Sequence, residues 1–133
     1  MLRTPLAGLL QAAATGTLAD HPPLEWSTDA AVTVVVASDG YPAAPTTGDE
    51  ISGVDAAESS TTVRVLHAGT AIDSAGRLVT AGGRVLAVTA TGPDLDEARA
   101  AAYDAIDRIS IRGSHHRRDI ALRAARGEIV VPG

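Results

Sequence analysis

The sequence predicts an α+β fold: a small, mostly antiparallel sheet that curls into a barrel-like sandwich and is packed by one main helix. Three observations predict it. Short β-branched runs at 30–38, 62–67, 77–80 and 84–89 are separated by Gly, Pro, Asp and Ser, which is strand-and-turn patterning. One longer segment, 95–108, has apolar residues at helical spacing. Finally, 133 residues with 45% apolar and 20% charged content suit one compact domain. Area scaling gives roughly 6,500 Å² folded against roughly 19,600 Å² unfolded, so about two-thirds of the surface is buried without disulfides or metals.

In chain order, Met1 to Gly16 reads as a short helix, with Leu2, Leu6, Leu9, Leu10 and Ala13 on one face and Pro5 tolerated in the first turn. A lone front-end charge, Arg3, and the interruption at Gln11 do not make a signal peptide. No apolar run approaches the roughly 20 residues of a bilayer span, and a cytoplasmic chain is expected. His21-Pro22-Pro23 ends the helix and begins an extended linker through Trp26. The run Ala30 to Ser38 is nearly continuous in β-branched residues, as in a strand covered on both faces.

Asp39-Gly40-Tyr41-Pro42 is a tight turn that opens a loop rich in Pro, Ala and Thr up to Gly48. A short edge strand at Glu50 to Gly53 and a polar connection from Asp55 to Ser60 follow. Strands are predicted at Thr62 to His67, Arg77 to Thr80 and Arg84 to Thr89, the last two joined as a hairpin by Ala81-Gly82-Gly83. Asp94, with Glu97 three residues on, caps a helix over Leu95 to Arg108 whose Leu95, Ala98, Ala102, Ile106 and Ile109 form one stripe. A second short helix is expected at His116 to Ala125, and Gly127 to Gly133 as a loose tail or edge extension.

What the composition lacks excludes several chemistries. With no Cys, thiolate catalysis, disulfides, iron–sulfur clusters and Cys-ligated zinc are removed. All eleven basic residues are Arg. The absence of Lys removes the P-loop lysine, Schiff-base chemistry and a biotinyl or lipoyl attachment site. A net charge of −5, with no basic cluster beyond Arg117 and Arg118, argues against a nucleic-acid footprint.

Several constellations bear on function. Gly82-Gly83-Arg84 places a guanidinium beside two residues that let a ligand or another backbone come close, which suits bidentate capture of carboxylate or phosphate. The alternative there is a turn with a solvated Arg. His67-Ala68-Gly69-Thr70 offers an imidazole, an amide and a hydroxyl at a strand end, which fits either a cleft wall or a satisfied structural histidine. Gly40-Tyr41-Pro42 presents one of only three aromatic residues, as a site wall or as a plug under the loop. His115-His116 does not read as a metal pair, because adjacent positions point apart and no carboxylate stands at ligand spacing. Arg117-Arg118-Asp119 reads as a surface charge cluster, since residues two apart do not face one another on a helix. Asp94 to Glu97 is explained by the helix dipole. No nucleophile–base pair follows from spacing.

Five segments in order carry a family resemblance: Ala37-Ser38-Asp39-Gly40-Tyr41-Pro42, Thr47-Gly48-Asp49-Glu50-Ile51, His67-Ala68-Gly69-Thr70, the run Gly82-Gly83-Arg84-Val85-Leu86-Ala87-Val88-Thr89-Ala90, and Arg117-Arg118-Asp119-Ile120. Together they resemble the carboxy-terminal domain of glycinamide ribonucleotide synthetase, also called phosphoribosylamine-glycine ligase, over roughly Leu2 to Arg126. Arg3-Thr4-Pro5-Leu6 with the helix after it resembles the segment closing the preceding ATP-grasp portion, and Pro22-Pro23-Leu24-Glu25-Trp26 the linker into the final domain. The resemblance divides the chain into 1–27, the end of the ATP-grasp portion, 28–126, the C-terminal domain, and a tail, 127–133. It departs from the family pattern at Ala121, where Gly is frequent, at His115-His116, where an aromatic pair is frequent, and at Pro45 and Thr47, where Tyr and Lys are frequent.

The resemblance implies a fold like the final domain of ATP-grasp carboxylases and ligases, of the rudiment single hybrid motif kind. It also implies a reaction: an ATP-dependent carbon–nitrogen ligase joins glycine to 5-phosphoribosylamine through a glycyl phosphate in de novo purine synthesis. ATP and Mg²⁺ are then held by the ATP-grasp portion, the partner of this domain and lying outside this chain, and the chain alone is expected to be inactive. The expected substrate-binding residues are Arg84, with Gly82 and Gly83 permitting approach, Tyr41 and Pro42 shaping the neighbouring loop, and His67, Gly69 and Thr70 on the adjoining strand end. No catalytic residue and no metal ligand is expected here, and neither nucleic acid nor membrane is an expected partner. The alternative is a non-catalytic binding or scaffold module that keeps the fold.

Overall fold

The computed structural model describes residues 1–129. In order they form α1 (Leu6–Thr15), β1 (Ala30–Ala37), β2 (Ile51–Ser52), α2 (Val54–Ala57), β3 (Val63–His67), β4 (Thr70–Ile72), β5 (Leu78–Thr80), β6 (Arg84–Gly92), α3 (Leu95–Ile106), β7 (Ser110–Ile111) and α4 (Leu122–Ala125). Every strand pairing is antiparallel, as expected for an α+β chain. The barrel-like closure is not found: the named strands form one three-stranded sheet, β1-β6-β3, and two two-stranded ribbons, β2-β7 and β4-β5. The predicted β5–β6 hairpin is also absent. β5 spends its hydrogen bonds on β4 and on the 48–50 loop, where Gly48 N–H donates to Thr80 O and Thr80 N–H to Asp49 O.

The core lies between one face of the main sheet and α3. Val32, Val34 and Val36 of β1, Val63 and Val65 of β3 and Leu86, Val88 and Ala90 of β6 point to this side, against Ala98, Ala102, Ala105 and Ile106 of α3. The alanines matter sterically, because a small stripe lets the helix lie close to the β-branched face. Burial of each Val or Leu here contributes about 1.5–3 kcal/mol. α3 begins where expected: Asp94 Oδ1 accepts from Glu97 N–H at 2.8 Å, satisfying a first-turn donor. The opposite face of β1 is not covered. Alternation of buried and exposed residues replaces the expected two-sided burial, and Val35 is 43% exposed.

One irregularity in the sheet changes which residues face out. Val36 pairs with Leu86, but Ala37 pairs with Arg84, so Val85 is an extra residue on β6. Such a bulge reverses the side-chain alternation beyond it. Strict alternation would put Arg84 on the core side and Val85 outside. With the bulge, Val85 is fully buried and Arg84 emerges beside Ala37 on the open side. The Val85 carbonyl accepts from both Ala68 and Gly69 N–H at 3.0 Å, which fastens the corner after β3 to the bulge.

The smaller elements close the edges. α2, where only a polar connection was expected, sets Glu58 so that its carboxylate accepts from Val65 N–H at 2.8 Å on the outer edge of β3, removing an open pairing edge. Asp49, only 6% exposed, accepts from Arg112 Nε at 2.7 Å and Nη2 at 2.6 Å, tying the 48–50 loop to the chain after β7. Residues 1–27 close on themselves instead. Leu2 pairs with Trp26, Arg3 N–H donates to Glu25 O at 2.8 Å, and no residue before Val32 is buried. The helix is shorter than the expected 1–16 because Leu2 is drawn into this pairing. Leu6, Leu10, Leu18, Leu24 and Trp26 are all exposed, and the total surface is 8413 Å², well above the roughly 6,500 Å² that scaling gives for a monomer of this mass.

The second short helix begins only at Leu122. Residues 115–121 run irregularly because their backbone groups bond elsewhere: His115 exchanges two hydrogen bonds with Ala37, and the Tyr103 hydroxyl donates to Arg117 O and accepts from Ile120 N–H. The turn into α4 places Ala121 at φ 59°, the left-handed region where an L side chain costs roughly 1–2 kcal/mol. Of the predicted tail, residues 130–133 lie outside the described residues.

Two outcomes follow. Ala121→Gly relieves the left-handed strain but gives the unfolded chain more freedom, so a net stabilisation of about 0.5–1 kcal/mol is expected in thermal or urea unfolding. The His116 imidazole is held below its ordinary value, first by burial and then by Arg118, with His115 adding to the lowering and Asp107 opposing it. The unfolded chain therefore binds the proton more readily. The contribution of this group to stability is complete above about pH 6.5 and is lost as pH falls from there through the lowered folded value. Urea melts between pH 5 and 8 should show this decline, and His116→Gln should flatten it.

Candidate functional site

The bulge, a glycine pair and one aromatic ring build the site on the open side of the main sheet. Arg84 leaves β6 directly after Gly82 and Gly83. A side chain at Gly83 would overlap the Tyr41 ring, so the ring comes close to the strand entry because that position is bare. A Cβ at Gly69 would lie 2.6 Å from Arg84 O and 3.2 Å from Gly82 Cα. Glycine there lets the β3–β4 corner press against the segment that carries Arg84.

Arg84, Tyr41 and Val35 stand between two cavities. The first, about 300 Å³, has Thr33, Val35 and Ala37 of β1 as its floor and His115, His116, Arg117 and Ile120 as its far wall. The second, about 720 Å³, is lined by the backbone-rich corners around Gly69 and Ala81–Gly83, with Leu86 and Ala87 beside them. Both open next to an apolar row across the exposed sheet face, Val35, Ala87 and Leu66, which are neighbours in register.

Two guanidinium groups, Arg84 and Arg117, line the first cavity. Among the described residues Arg84 makes no ion pair. Arg117 is held by Asp119, with Nε to Oδ1 at 2.9 Å and Nη2 to Oδ2 at 2.6 Å. The guanidinium keeps the Asp119 carboxyl below its ordinary value and is itself raised by it. This pairing corrects the expectation that the two do not face one another: the segment is not helical, so helical spacing does not apply. His115 turns toward Tyr41, with ring centres 6.5 Å apart, and His116 toward Tyr103 at 5.9 Å. The adjacent imidazoles thus point apart, and no cluster of three or more metal-ligating side chains occurs among the described residues.

Of the residues singled out from sequence, Tyr41, Arg84, Gly82, Gly83 and Gly69 are brought together around these cavities. Pro42, His67 and Thr70 do not line either. His67 Nδ1 and Thr70 Oγ1 are 3.1 Å apart and satisfy each other at the β3–β4 corner. Conversely, His115, His116, Arg117 and Ile120 form a wall that spacing did not reveal. Its one sequence signal was the only dense basic run in the chain, His115 to Arg118. The Arg84 guanidinium over the Val35 and Ala37 floor is suited to an anionic group on an organic ligand, since charge-assisted bidentate bonds are strong and directional, whereas the Nε and Nη2 of Arg117 are engaged by Asp119.

Comparison with known proteins supports the resemblance. Residues 31–123 match the family described as phosphoribosylglycinamide synthetase, C domain. The phosphoribosylamine–glycine ligase of Streptomyces coelicolor is 61% identical over 126 residues, covering 93% of this chain and 30% of that protein. The ligase of Mycobacterium bovis is 49% identical over 131 residues, covering 98% of this chain and 30% of that protein. The crystal structure of the Thermotoga maritima ligase superposes with a TM-score of 0.68 at 37% identity, over 86% of this chain and 27% of that one. The chain thus spans about 30% of the length of the curated relatives it matches. No helix is long and apolar enough to cross a membrane among the described residues. The chain belongs to the phosphoribosylglycinamide synthetase family and corresponds to its C domain.

Proposed function

We propose that this chain is the acceptor-side part of an ATP-dependent, cytoplasmic ligase that joins glycine to 5-phosphoribosylamine. The observation that carries the proposal is Arg84: a guanidinium turned outward by a β-bulge, without an ion pair among the described residues, at the partition between two cavities. Both substrates bear an anion, a phosphate on one and a carboxylate on the other. Arg84 offers its fork to one of them, and Arg117 faces the same cavity. Tyr41 and the glycines shape the wall, and Pro42 supports the Tyr41 turn. His67 and Thr70 hold the corner that carries Gly69. These are positioning roles. Holding two reactants in register is worth several kcal/mol without a covalent step from the protein, and a guanidinium acts more strongly once the cleft closes and water leaves.

ATP and Mg²⁺ do not fit the donor set of this chain, which has no Lys and, among the described residues, no cluster of metal-ligating side chains. In this proposal both are held by the ATP-grasp portion. Residues 1–27 belong with that portion in this proposal, and 28–126 form the C-terminal domain. Support comes from the self-closed pairing of the first 27 residues and from their exposed Leu6, Leu10, Leu18, Leu24 and Trp26, which a neighbouring portion of the enzyme would cover.

Isothermal titration of the 133-residue chain with ATP and Mg²⁺ should therefore show no binding in the micromolar range; micromolar affinity overturns the assignment of the nucleotide site. In the full-length ligase, Arg84→Ala should raise the Michaelis constant for phosphoribosylamine or for glycine at least tenfold, about 1.4 kcal/mol of lost binding. A change confined to melting temperature would reduce Arg84 to a turn residue.

A further inference from the structure

From His115 to Ile120 the chain crosses the open side of the sheet without regular secondary structure and brings Arg117 to the rim of the 300 Å³ cavity. Its start is fastened to β1 by the paired hydrogen bonds between His115 and Ala37, 2.9 and 3.0 Å long. Its end is fastened to α3 by two side chains one turn apart. The Tyr103 hydroxyl donates to Arg117 O at 2.6 Å and accepts from Ile120 N–H at 3.2 Å. Arg99 donates from Nε to Ile120 O at 3.0 Å and from Nη2 to Arg118 O at 2.5 Å, and its guanidinium lies 4.6 Å from the centre of the Tyr103 ring. Residues at i and i+4 share one helix face, so the two act as one clamp on four backbone groups.

We infer that Tyr103, backed by Arg99, is a positioning residue that fixes the backbone at Arg117–Ile120 so that the Arg117 guanidinium, paired with Asp119 through Nε and Nη2, stands in the wall opposite Arg84. The inference rests on the ligase proposal above and names the device that pre-organises its second cation. A loop of this length left to itself samples many conformations, and each one lost on binding weakens the ligand. A clamp that satisfies the backbone through side chains on a packed helix removes that cost in advance.

The test uses the full-length ligase. Tyr103→Phe keeps the ring and its stacking with Arg99 but removes the hydroxyl. It should raise the Michaelis constant for phosphoribosylamine or glycine at least fivefold and leave kcat and the Michaelis constant for ATP within twofold. A rise for phosphoribosylamine assigns the phosphate to this wall, and a rise for glycine the carboxylate. In an Arg117→Ala background the same change should add less than twofold, because its effect runs through Arg117. Arg99→Gln should give a smaller rise of the same kind and serves as the test if Tyr103→Phe does not fold. Unchanged Michaelis constants, or an equal rise in both backgrounds, overturn the inference. Arg84→Ala measured alongside separates the two levels. If it raises a Michaelis constant and Tyr103→Phe does not, the clamp alone fails; if Arg84→Ala is also silent, the substrate-binding role proposed for this face fails with it.

Discussion

The site depends on one extra residue in one strand. Without Val85 as a bulge, β6 would keep strict alternation through Arg84, and a guanidinium would face the Val and Ala core against α3. Burying an unpaired charge there is costly enough that the strand would shift or the sheet would not form at that end. The bulge resolves the conflict by burying Val85 and Leu86 in succession and sending Arg84 outward. It also accounts for the glycines around it. A bent strand end brings Gly69 and Gly82 to close backbone approach and the Tyr41 ring onto Gly83. Core, corner and cation are therefore consequences of the same local geometry.

The second organising element is α3, which has two working faces. Its alanine stripe packs the inner side of the sheet, and Arg99 and Tyr103 reach out to hold the 115–120 segment. A helix that is capped at Asp94 and buried along one side is a rigid reference. A loop fixed to it inherits that rigidity relative to the sheet, because both contact the same core. The two cations of the first cavity thus come from opposite fastenings, Arg84 from the sheet and Arg117 from the helix-bound loop.

Much of the fold was legible from local sequence. The 95–108 helix announced itself through period and cap, and it stops only two residues early, at Ile106. Strands at 62–67 and 84–89 were visible as β-branched runs, and β6 runs on to Gly92. Pairing was not legible. Ala81-Gly82-Gly83 permits a hairpin, but the hydrogen-bonding groups of β5 are claimed by β4 and by Asp49 and Gly48, residues far away in sequence. The predicted 116–125 helix lost its first turns for the same reason: Tyr103, Arg99 and Ala37 offer its backbone better partners than helical bonds do. Half of the candidate site followed that segment out of reach. Arg84, Tyr41 and the glycines could be named because a Gly-Gly-Arg turn is a local signal and the family resemblance singles these positions out, whereas the wall of His115, His116 and Arg117 exists only through long-range contacts. Ala121 shows the converse. A left-handed turn is normally marked by Gly, and here an Ala occupies it with φ at 59°, so the sequence signal for the break before α4 is missing although the break is present.

The open face of the sheet bears on how such a site becomes effective. The β1 run looked covered on both sides because its outward residues include Val35, yet Val35 and Leu66 remain 43% and 57% exposed. An apolar row beside two guanidinium groups is a poor surface to leave in water, and the proposed arrangement explains it physically. Attraction between a guanidinium and an anion is weak at high dielectric and strengthens several-fold when apolar surface displaces solvent. Val35, Ala87 and Leu66 supply that apolar surface on one side. Covering them, by substrate and by the neighbouring portion of the ligase, would bury the row and raise the strength of Arg84 and Arg117 in the same event. In the proposed function, hydrophobic closure and anion capture would then be coupled on a single face, with Arg84 at the border of the apolar row.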